Sequence, residues 1–347
     1  MKFSRDHAAA WLVRTGLVRL AATIDSRLHH DLRVLAYHRV LPRTREADFG
    51  FDLELVSAWE EEFEWQVRHV ARHHEVLTCR DLAALADAGR PLPRRALLIT
   101  FDDGYRDNHD VALPILRRHA VPALVFVATG YMDRGGTFWY DQLVHDVLHS
   151  TARRVACAGS TVALGVEPAS RRAGANELLT RLKRMPDEQR LADLAALRAQ
   201  LHAPAPDTAS TLDRPMTWQE VRQLSDAGIE IGSHGVSHAV LANIADARAL
   251  RRELVDSKAA IDRHTGQPTL SLAYPVGGRR AYDERVVAAA REAGYRYAFA
   301  YHAGPNPMGR LDPMRIRRLA VERYVTRERF AAMLAMPALF AYGWSAS

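Results

Sequence analysis

The feature that most constrains the fold is a repeated alternation of short apolar runs with longer amphipathic stretches. The runs at residues 34–37, 96–100 and 123–128 are apolar on both faces, which is typical of strands buried in a parallel sheet. Strands that alternate with helices predict an α/β protein with right-handed crossovers, and seven or eight such units predict a barrel of parallel strands. Further apolar runs occupy residues 75–78, 229–231, 270–274, 296–301 and 316–321, and helical patterns occupy residues 56–73, 110–119, 250–264 and 283–293.

One stretch interrupts this alternation. Residues 150–215 lack clear strand-like runs, carry Arg and Ala in helical patterns, and end in the loop APAPDTASTLDRP. We interpret the stretch as a helical insertion with a connector, positioned to shape one wall of a substrate groove. The predicted organisation is an N-terminal amphipathic helical segment at residues 1–30, followed by one barrel domain at residues 31–347 that contains the insertion.

The N-terminal segment bears on the cellular compartment. Residues 8–24 are rich in apolar residues, but Arg14 and Arg19 interrupt the run. An export signal needs an unbroken apolar segment, and a membrane-spanning helix needs about 20 apolar residues. We therefore expect a cytoplasmic protein whose amphipathic N-terminal helix either packs on the domain or makes peripheral contact with the inner face of the membrane. The apolar side of this helix is formed by Trp11, Leu12, Leu17 and Leu20.

Charge and cysteine usage argue against two classes of site. The formal net charge is +6, and the arginines that dominate the cations are interleaved with acids rather than gathered in a stripe. We therefore expect no nucleic-acid partner. Cys79 and Cys157 lie in no CxxC pair, so two reduced, structural thiols are expected rather than a cysteine metal cluster.

Two adjacent carboxylates follow the apolar run at residues 96–100. Asp102 and Asp103 precede Gly104, which permits a sharp turn that leaves both side chains pointing into a cleft. Two carboxylates side by side are costly to place unless something cationic shares the site. An ordinary Asp-Asp-Gly turn is the alternative interpretation.

A pair of histidines follows the apolar run at residues 229–231. His234 and His238 are four positions apart, which predicts that both imidazoles lie on the same face of one turn and can reach one ion. Such pairs also occur without metal, but a carboxylate from the Asp-Asp pair would complete a site of two histidines and one carboxylate. Three protein ligands leave positions open for water and substrate, which is typical of a catalytic metal site.

These residues are far apart in sequence but are expected to meet. In a parallel α/β barrel, functional groups gather where strands end and loops begin. The residues placed at that rim by the predicted strands are His38 after the first strand, Asp102 and Asp103 after the third, His234 after the fifth, and Tyr274 with Pro275 at the end of the sixth.

Three segments, TFDDGY, SHGVSH and AYPVG, resemble the polysaccharide deacetylase family, also known as the NodB-homology or carbohydrate esterase family 4 proteins. The resemblance covers residues 34–321 apart from the insertion. It implies a distorted (β/α) barrel and an enzyme that removes N-acetyl or O-acetyl groups from glycans. It also implies specific roles: Asp103, His234 and His238 as ligands of a divalent metal ion, Asp102 as the general base, and the backbone N–H of Tyr105 as part of an oxyanion hole.

The chain departs from the family pattern at the general acid. Most members carry a histidine in a Leu-x-His motif near the end of the domain, whereas residues 316–321 read IRRLAV. The YHRV segment at residues 37–40 resembles the YHxV motif of a branch that deacetylates poly-N-acetylglucosamine, in which this early histidine is the acid. His38 is therefore the expected acid and His302 the competitor, while a hydrogen-bonded core histidine is the structural alternative for His38.

A second departure concerns the residue that orients the base. Ala273 stands where the family usually has an arginine. Either Arg318 enters the site and forms a salt bridge with Asp102, or it is a surface arginine. Aromatic faces stack well on pyranose rings, although Trp139 is equally suited to core packing. The residues expected to contact substrate are Trp139, Tyr140, Tyr274 and Pro275, whereas Trp218 is expected to pack at the start of its helix.

Two other classes of protein share parts of this pattern. A non-haem iron oxygenase also uses two histidines and a carboxylate, and a catalytically degenerate family member would bind glycan without hydrolysis. The additional carboxylate of Asp102 and the barrel rhythm favour the hydrolase. The expected substrate is an acetylated amino-sugar polymer, oligomer or lipid-linked sugar. The expected metal is Zn²⁺, with Co²⁺, Ni²⁺ and Fe²⁺ as alternatives.

Overall fold

The apolar runs form the strands of one curved sheet. The computed structural model describes residues 5–18, 20–21, 31–45, 49–206, 211–304, 306–307, 309 and 311–341. The strands are β1 Asp31–Tyr37, β2 Arg39–Leu41, β3 Val56–Trp59, β4 Glu75–Val76, β5 Ala96–Phe101, β6 Leu124–Val127, β7 Arg154–Cys157, β8 Ser160–Ala163, β9 Glu230–Ser233, β10 Ser271–Ala273, β11 Tyr297–Phe299, β12 Asn306–Pro307 and β13 Leu319–Ala320.

Helices connect most of these strands and pack on the sheet. They are α1 Arg5–Arg14, α2 Glu60–His73, α3 Cys79–Asp87, α4 Leu113–Arg118, α5 Thr129–Arg134, α6 Trp139–His149, α7 Pro168–Leu182, α8 Asp187–Leu201, α9 Trp218–Asp226, α10 Ala247–Thr265, α11 Glu284–Glu292, α12 Arg327–Ala335 and α13 Pro337–Phe340.

The main sheet is parallel except at one short strand. Among the described residues it has nine strands, in the order β11-β10-β9-β6-β5-β1-β12, with β4 beside β5 and β13 beside β1. In the described part of this sheet, only β12 pairs antiparallel, on β1. All consecutive partners from β1 to β11 along this order are parallel. The carboxyl ends of these strands therefore lie along one rim.

The segment around β13 joins the two ends of the sheet. Ile316 forms a parallel bridge with Phe299 of β11, while Leu319 and Ala320 pair with β1. One short stretch of chain thus hydrogen-bonds to both sides, which closes the sheet into the distorted (β/α) barrel that the sequence predicts.

The apolar character of both faces of a strand follows from this architecture. Leu97, Ile99 and Phe101 of β5 pack in the largest hydrophobic core cluster, together with Phe63 of α2. Ala96 and Leu98, on the opposite face of the same strand, pack in a separate cluster. Because both faces are buried, the strand reads as a continuous apolar run rather than an alternating one.

The predicted helix at residues 56–73 is wrong over its first turn. Val56–Trp59 is strand β3, which pairs with β2, and helix α2 begins only at Glu60. Three glutamates in its first turn, Glu60 to Glu62, interact favourably with the positive end of the helix dipole. The spacing of apolar residues in the VSAW segment fits a helix. Pairing with the edge of β2 makes the segment a strand instead.

The insertion contains a β-hairpin that the sequence analysis misses. Strands β7 and β8 pair antiparallel across Ala158 and Gly159, which both have positive φ angles of 51° and 72°. Two-residue hairpin turns of this kind usually contain Asn or Asp before Gly, so an alanine at this position gives no turn signal. Two further segments of the stretch are helical, as expected, namely α7 and α8.

The N-terminal helix packs on α12 through only part of its surface. Ala9 is fully buried, and Asp6 forms an ion pair with Arg329 of α12. Three residues predicted on its apolar side are exposed instead, namely Trp11 (56%), Leu17 (39%) and Leu20 (55%). Arg19 and residues 22–24 lie outside the described residues. None of the described helices is long and apolar enough to cross a membrane. Contact with a membrane surface and a cytoplasmic location stay predictions.

Both cysteines are buried free thiols, Cys79 at the start of α3 and Cys157 at the end of β7. Their burial agrees with the expected structural role, and their reduced state stays a prediction.

Candidate active site

The turn after β5 presents the two adjacent aspartates. The backbone N–H of Asp102 donates to the carbonyl of Tyr37 in β1 at 2.9 Å, which extends the β1–β5 pairing by one residue. Asp103 and Gly104 then adopt positive φ angles of 74° and 83°. A Cβ atom on Gly104 would lie 2.9 Å from Cγ1 of Val127, so both conformation and space require glycine there.

Asp103 faces the two histidines. Its Oδ1 lies 3.5 Å from Nε2 of His234 and 3.2 Å from Nε2 of His238, and all three residues are buried. One ligand atom from each lies within 4.8 Å of the others. Nδ1 of His234 lies 2.8 Å from the carbonyl oxygen of Ala273, and a proton on Nδ1 leaves the lone pair of Nε2 free toward Asp103.

The histidines are not brought together by a helical turn. Residues 234–240 form an irregular loop, and His238 has a positive φ angle of 55°. Glu253 of α10 holds this loop by accepting hydrogen bonds from the backbone N–H groups of Val236 (2.7 Å) and Ser237 (3.0 Å), and from the Ser237 hydroxyl (2.7 Å). The prediction that both imidazoles lie on the same face of one turn is therefore wrong. Sequence reasoning also missed Glu253.

The three residues fit a divalent cation. Oδ1 of Asp103 is buried and has no hydrogen-bond partner in the part of the chain that the structure describes. A buried carboxylate oxygen is costly without a partner. Two imidazole nitrogens with one carboxylate are ligands that Zn²⁺, Co²⁺, Ni²⁺ and Fe²⁺ accept.

Asp102 has different partners, although it is the next residue. Arg318 donates to both its oxygens, from Nη1 to Oδ1 at 2.6 Å and from Nη2 to Oδ2 at 2.8 Å. Arg318 is only 2% exposed, so it is not a surface arginine. Burial alone would raise the pKa of Asp102, but the charge of Arg318 lowers it below its usual value. Asp102 is thus an oriented and ionised carboxylate.

His38 lies on the same side of the cavity as Asp102. Its Nε2 is 3.8 Å from Oδ2 of Asp102. The backbone is held on both sides, since the His38 N–H donates to Oγ of Ser57 at 2.9 Å and its carbonyl accepts from Nδ2 of Asn108 at 3.0 Å. Burial lowers the pKa of His38, against the opposing effect of Asp103 and Asp102.

The competing histidine lies elsewhere. His302 is half-buried and lies near Tyr282, with ring centroids 6.1 Å apart, and it does not line the cavity that contains the two aspartates. Its backbone carbonyl accepts a hydrogen bond from the N–H of Arg318 at 2.9 Å.

Of the four predicted substrate contacts, Tyr140 lines the cavity, whereas Trp139, Tyr274 and Pro275 do not. Tyr140 lines the cavity, and its ring lies 5.0 Å from that of His238. Trp139 is buried under Arg190, whose guanidinium carbon lies 4.8 Å from the ring centroid.

The other two predicted contacts lie outside the cavity. The Tyr274 side chain points away from it, because its hydroxyl donates to the carbonyl of Met314 and its ring stacks on Tyr282. Pro275 is also buried and the next residue, Val276, lines the cavity in its place.

Tyr105 is placed by its backbone. The neighbouring Gly104 carbonyl accepts from Met216 N–H at 2.9 Å, and Tyr105 itself forms a β-bridge with Pro215. Its side chain is buried, with the hydroxyl donating to Oδ2 of Asp141 at 2.5 Å. The connector after the insertion therefore fixes the turn that carries both aspartates.

Sequence reasoning missed four charged residues that line the same cavity, namely Asp52, Glu54, Lys183 and Glu322. Burial raises the pKa of Glu322 to about 8, and burial also raises that of Asp52. Lys183, at the end of α7 in the insertion, adds one cation. None of these residues belongs to a recognisable motif. The cavity has a volume of about 230 Å³, and its remaining lining includes Leu55 and Tyr301.

The fold and the site together define the class of protein. It is a parallel α/β barrel with two histidines and two aspartates at the carboxyl ends of its strands. A family model described as polysaccharide deacetylase matches residues 89–298, which is more than half of the chain. The chain belongs to the polysaccharide deacetylase family.

Similar proteins agree with this assignment. The chain is 28% identical over 105 residues to the poly-β-1,6-N-acetyl-D-glucosamine N-deacetylase of Staphylococcus epidermidis, a match that spans 28% of this chain and 36% of that protein. It thus covers about a third of that relative's length. The fold is similar to that of the Streptococcus pyogenes deacetylase PplD in complex with acetate (TM-score 0.59, 15% identity, 88% of this chain and 99% of that one). It is also similar to a de-N-acetylase from Aggregatibacter actinomycetemcomitans (TM-score 0.53, 17% identity, 85% and 96%).

Proposed function

We propose that this chain is a metal-dependent hydrolase that removes N-acetyl groups from an amino-sugar glycan or glycan precursor, with O-acetyl removal as the alternative. One observation carries the proposal. Two adjacent buried carboxylates have separate sets of partners, Asp103 with two histidines and Asp102 with an arginine and a third histidine. That division supplies a metal ligand and a base within one turn of chain.

Asp103, His234 and His238 would hold the cation, and Zn²⁺ suits this ligand set best. A divalent ion there would act as a Lewis acid toward the acetyl carbonyl and the attacking water. The loop fixed by Glu253 and the Ala273 carbonyl orient the two imidazoles.

Asp102 accepts the proton of the attacking water in this proposal. Its two contacts with Arg318 keep the carboxylate ionised and fix its direction. As the acetyl carbon becomes tetrahedral, negative charge develops on its oxygen. The backbone N–H of Tyr105 would donate to that oxygen.

His38 would complete the reaction as the general acid. An amine is a poor leaving group as an anion, so the amide nitrogen needs a proton as the C–N bond breaks. Since His38 lies 3.8 Å from Asp102, the acid and the base flank the same small volume. Acetate and the protonated amine are the products.

The charged residues that line the cavity favour particular sugars. Asp52, Glu54 and Glu322 present carboxyl groups there, and Lys183 provides one cation. An anionic sugar would meet three carboxyl groups and only one cation in this position, so it would have few cationic partners. We therefore propose a neutral or amino-bearing sugar as the unit next to the acetyl group.

The test is acetate release from a panel of acetylated glycans, oligosaccharides and lipid-linked sugars. We expect release by the Zn²⁺-loaded protein, loss with a chelator, and recovery when Zn²⁺, Co²⁺, Ni²⁺ or Fe²⁺ is returned. Turnover that depends on O₂ and a 2-oxoacid would instead identify an oxygenase. Glycan binding by a fully metal-loaded protein that releases no acetate would identify a degenerate, binding-only member.

A further inference from the structure

One side chain of the cavity has a buried hydroxyl group without a hydrogen bond to any described residue. Tyr140 is 3% exposed, and its hydroxyl has no hydrogen-bond partner among the described residues. The residue nevertheless lines the cavity that contains Asp103 and His238. A buried hydroxyl without a partner destabilises a protein, so its presence at this position points to a bound ligand that satisfies it.

The surroundings hold the Tyr140 ring firmly. It stacks on Phe138 with centroids 5.4 Å apart, packs edge-on against Trp139 at 5.5 Å, and contacts His238 at 5.0 Å. Tyr140 also lies in the first turn of α6. The hydroxyl is therefore directed by packing rather than by a hydrogen bond of its own.

A neighbouring tyrosine provides the contrast. The Tyr105 hydroxyl donates to Asp141 at 2.5 Å, so its hydrogen already has an acceptor.

We propose that Tyr140 is a catalytic residue whose hydroxyl donates a hydrogen bond to the acetyl oxygen as that oxygen gains negative charge. The inference rests on the proposed deacetylase function. Since the ring contacts the metal-ligand candidate His238, a group bound at the open side of the Asp103–His234–His238 set lies within its reach. Tyr140 and the Tyr105 backbone N–H would then form a two-donor oxyanion hole.

The test is Tyr140→Phe, which removes one oxygen atom and leaves the ring packing intact. With metal content equal to that of the wild type, kcat should fall about 100-fold while KM changes little, because the bond strengthens in the transition state. The melting temperature of the variant should equal or exceed that of the wild type, since an unpartnered buried hydroxyl is gone.

The matched control is Tyr295→Phe. The Tyr295 hydroxyl is also buried, but it donates to the carbonyl of Leu254 at 2.8 Å, outside the cavity. This variant should melt at a lower temperature and keep the wild-type kcat. The two variants thus predict opposite effects on stability and on turnover.

A second readout does not depend on turnover. Acetate, the product of the proposed reaction, should raise the melting temperature of the metal-loaded wild type more than that of Tyr140→Phe. Equal shifts, or an unchanged kcat in the variant, would overturn the role of Tyr140. A metal-loaded wild type that hydrolyses no acetylated substrate would contradict the proposed function instead, and the acetate shifts would still decide whether Tyr140 binds an acetyl oxygen.

Discussion

Arg318 forms a two-pronged salt bridge with Asp102, although the residues are 216 positions apart in sequence. Arg318 belongs to the segment that closes the barrel, between the Ile316 bridge to β11 and the pairing of β13 with β1. The same backbone that joins the two ends of the sheet therefore delivers the cation that orients the candidate base. The segment that closes the barrel therefore also completes the site.

Replacing Arg318 should damage both stability and activity. Arg318→Met leaves the buried carboxylate of Asp102 without its cation, which typically costs about 3–5 kcal/mol in the free energy of unfolding. Urea unfolding followed by circular dichroism measures this cost. Arg296→Met is the control, because Arg296 pairs with the exposed Asp87 and its replacement should change the free energy of unfolding far less. Equal losses in the two variants would contradict the importance of the buried pair.

The two adjacent aspartates should fail in different ways. Asp103→Asn and His234→Ala should lose both bound metal and acetate release. Asp102→Asn should keep one metal ion per chain and lose turnover by about 100-fold or more, since it removes only the base. Metal analysis of the purified variants beside acetate assays separates the two cases. Full metal occupancy in Asp103→Asn, or wild-type turnover in Asp102→Asn, would refute the assignment.

His38→Ala should slow amide hydrolysis more than ester hydrolysis. An activated aryl ester has a leaving group that needs no proton, whereas an amide nitrogen does. The ratio of kcat/KM for an acetamide substrate to that for an aryl acetate should therefore fall in the variant. His302→Ala is the matched comparison, and its ratio should remain that of the wild type. The reverse result would make His302 the acid.

Glu253→Gln should weaken metal binding from a distance. The carboxylate holds the loop that carries His238 through two backbone N–H groups and the Ser237 hydroxyl. Loss of such a support typically reduces metal affinity by about 10–100-fold. Competition with a chromogenic chelator measures the affinity. Asp256→Asn, on the exposed face of the same helix, should have no effect, and an unchanged affinity in Glu253→Gln would show that the loop holds its shape without it.

Glu322 should make the protein less stable as the pH rises. Burial raises the pKa of Glu322 in the folded chain to about 8, compared with 4.5 for an unperturbed glutamate. The folded state therefore keeps a proton that the unfolded state releases, and this contribution, full below about pH 4.5, is lost as the pH rises through 8. Glu322→Gln should flatten the dependence of melting temperature on pH in this range. Glu292→Gln, at an exposed position in α11, should leave the dependence unchanged.

The strand pattern was readable because burial on both faces leaves a local trace. Residues 96–100 appear as an uninterrupted apolar run, and β5 occupies Ala96–Phe101 with every residue buried. The Asp102–Asp103 pair and the two histidines are likewise short local motifs that follow such runs. The hairpin of β7 and β8 left no comparable trace, because its turn contains Ala158 rather than Asn or Asp.

The sequence by itself determined the alternation of strands and helices in most of the main sheet, the family resemblance, and the candidate metal-ligand set of Asp103, His234 and His238. Only the tertiary structure decided which distant side chains complete the site. The pairing of Arg318 with Asp102, the hold of Glu253 on the histidine loop and the unpartnered hydroxyl of Tyr140 all depend on contacts between elements that are remote in the chain. A local pattern records whether a residue is buried. It does not record which residue lies opposite, because that depends on how the sheet closes.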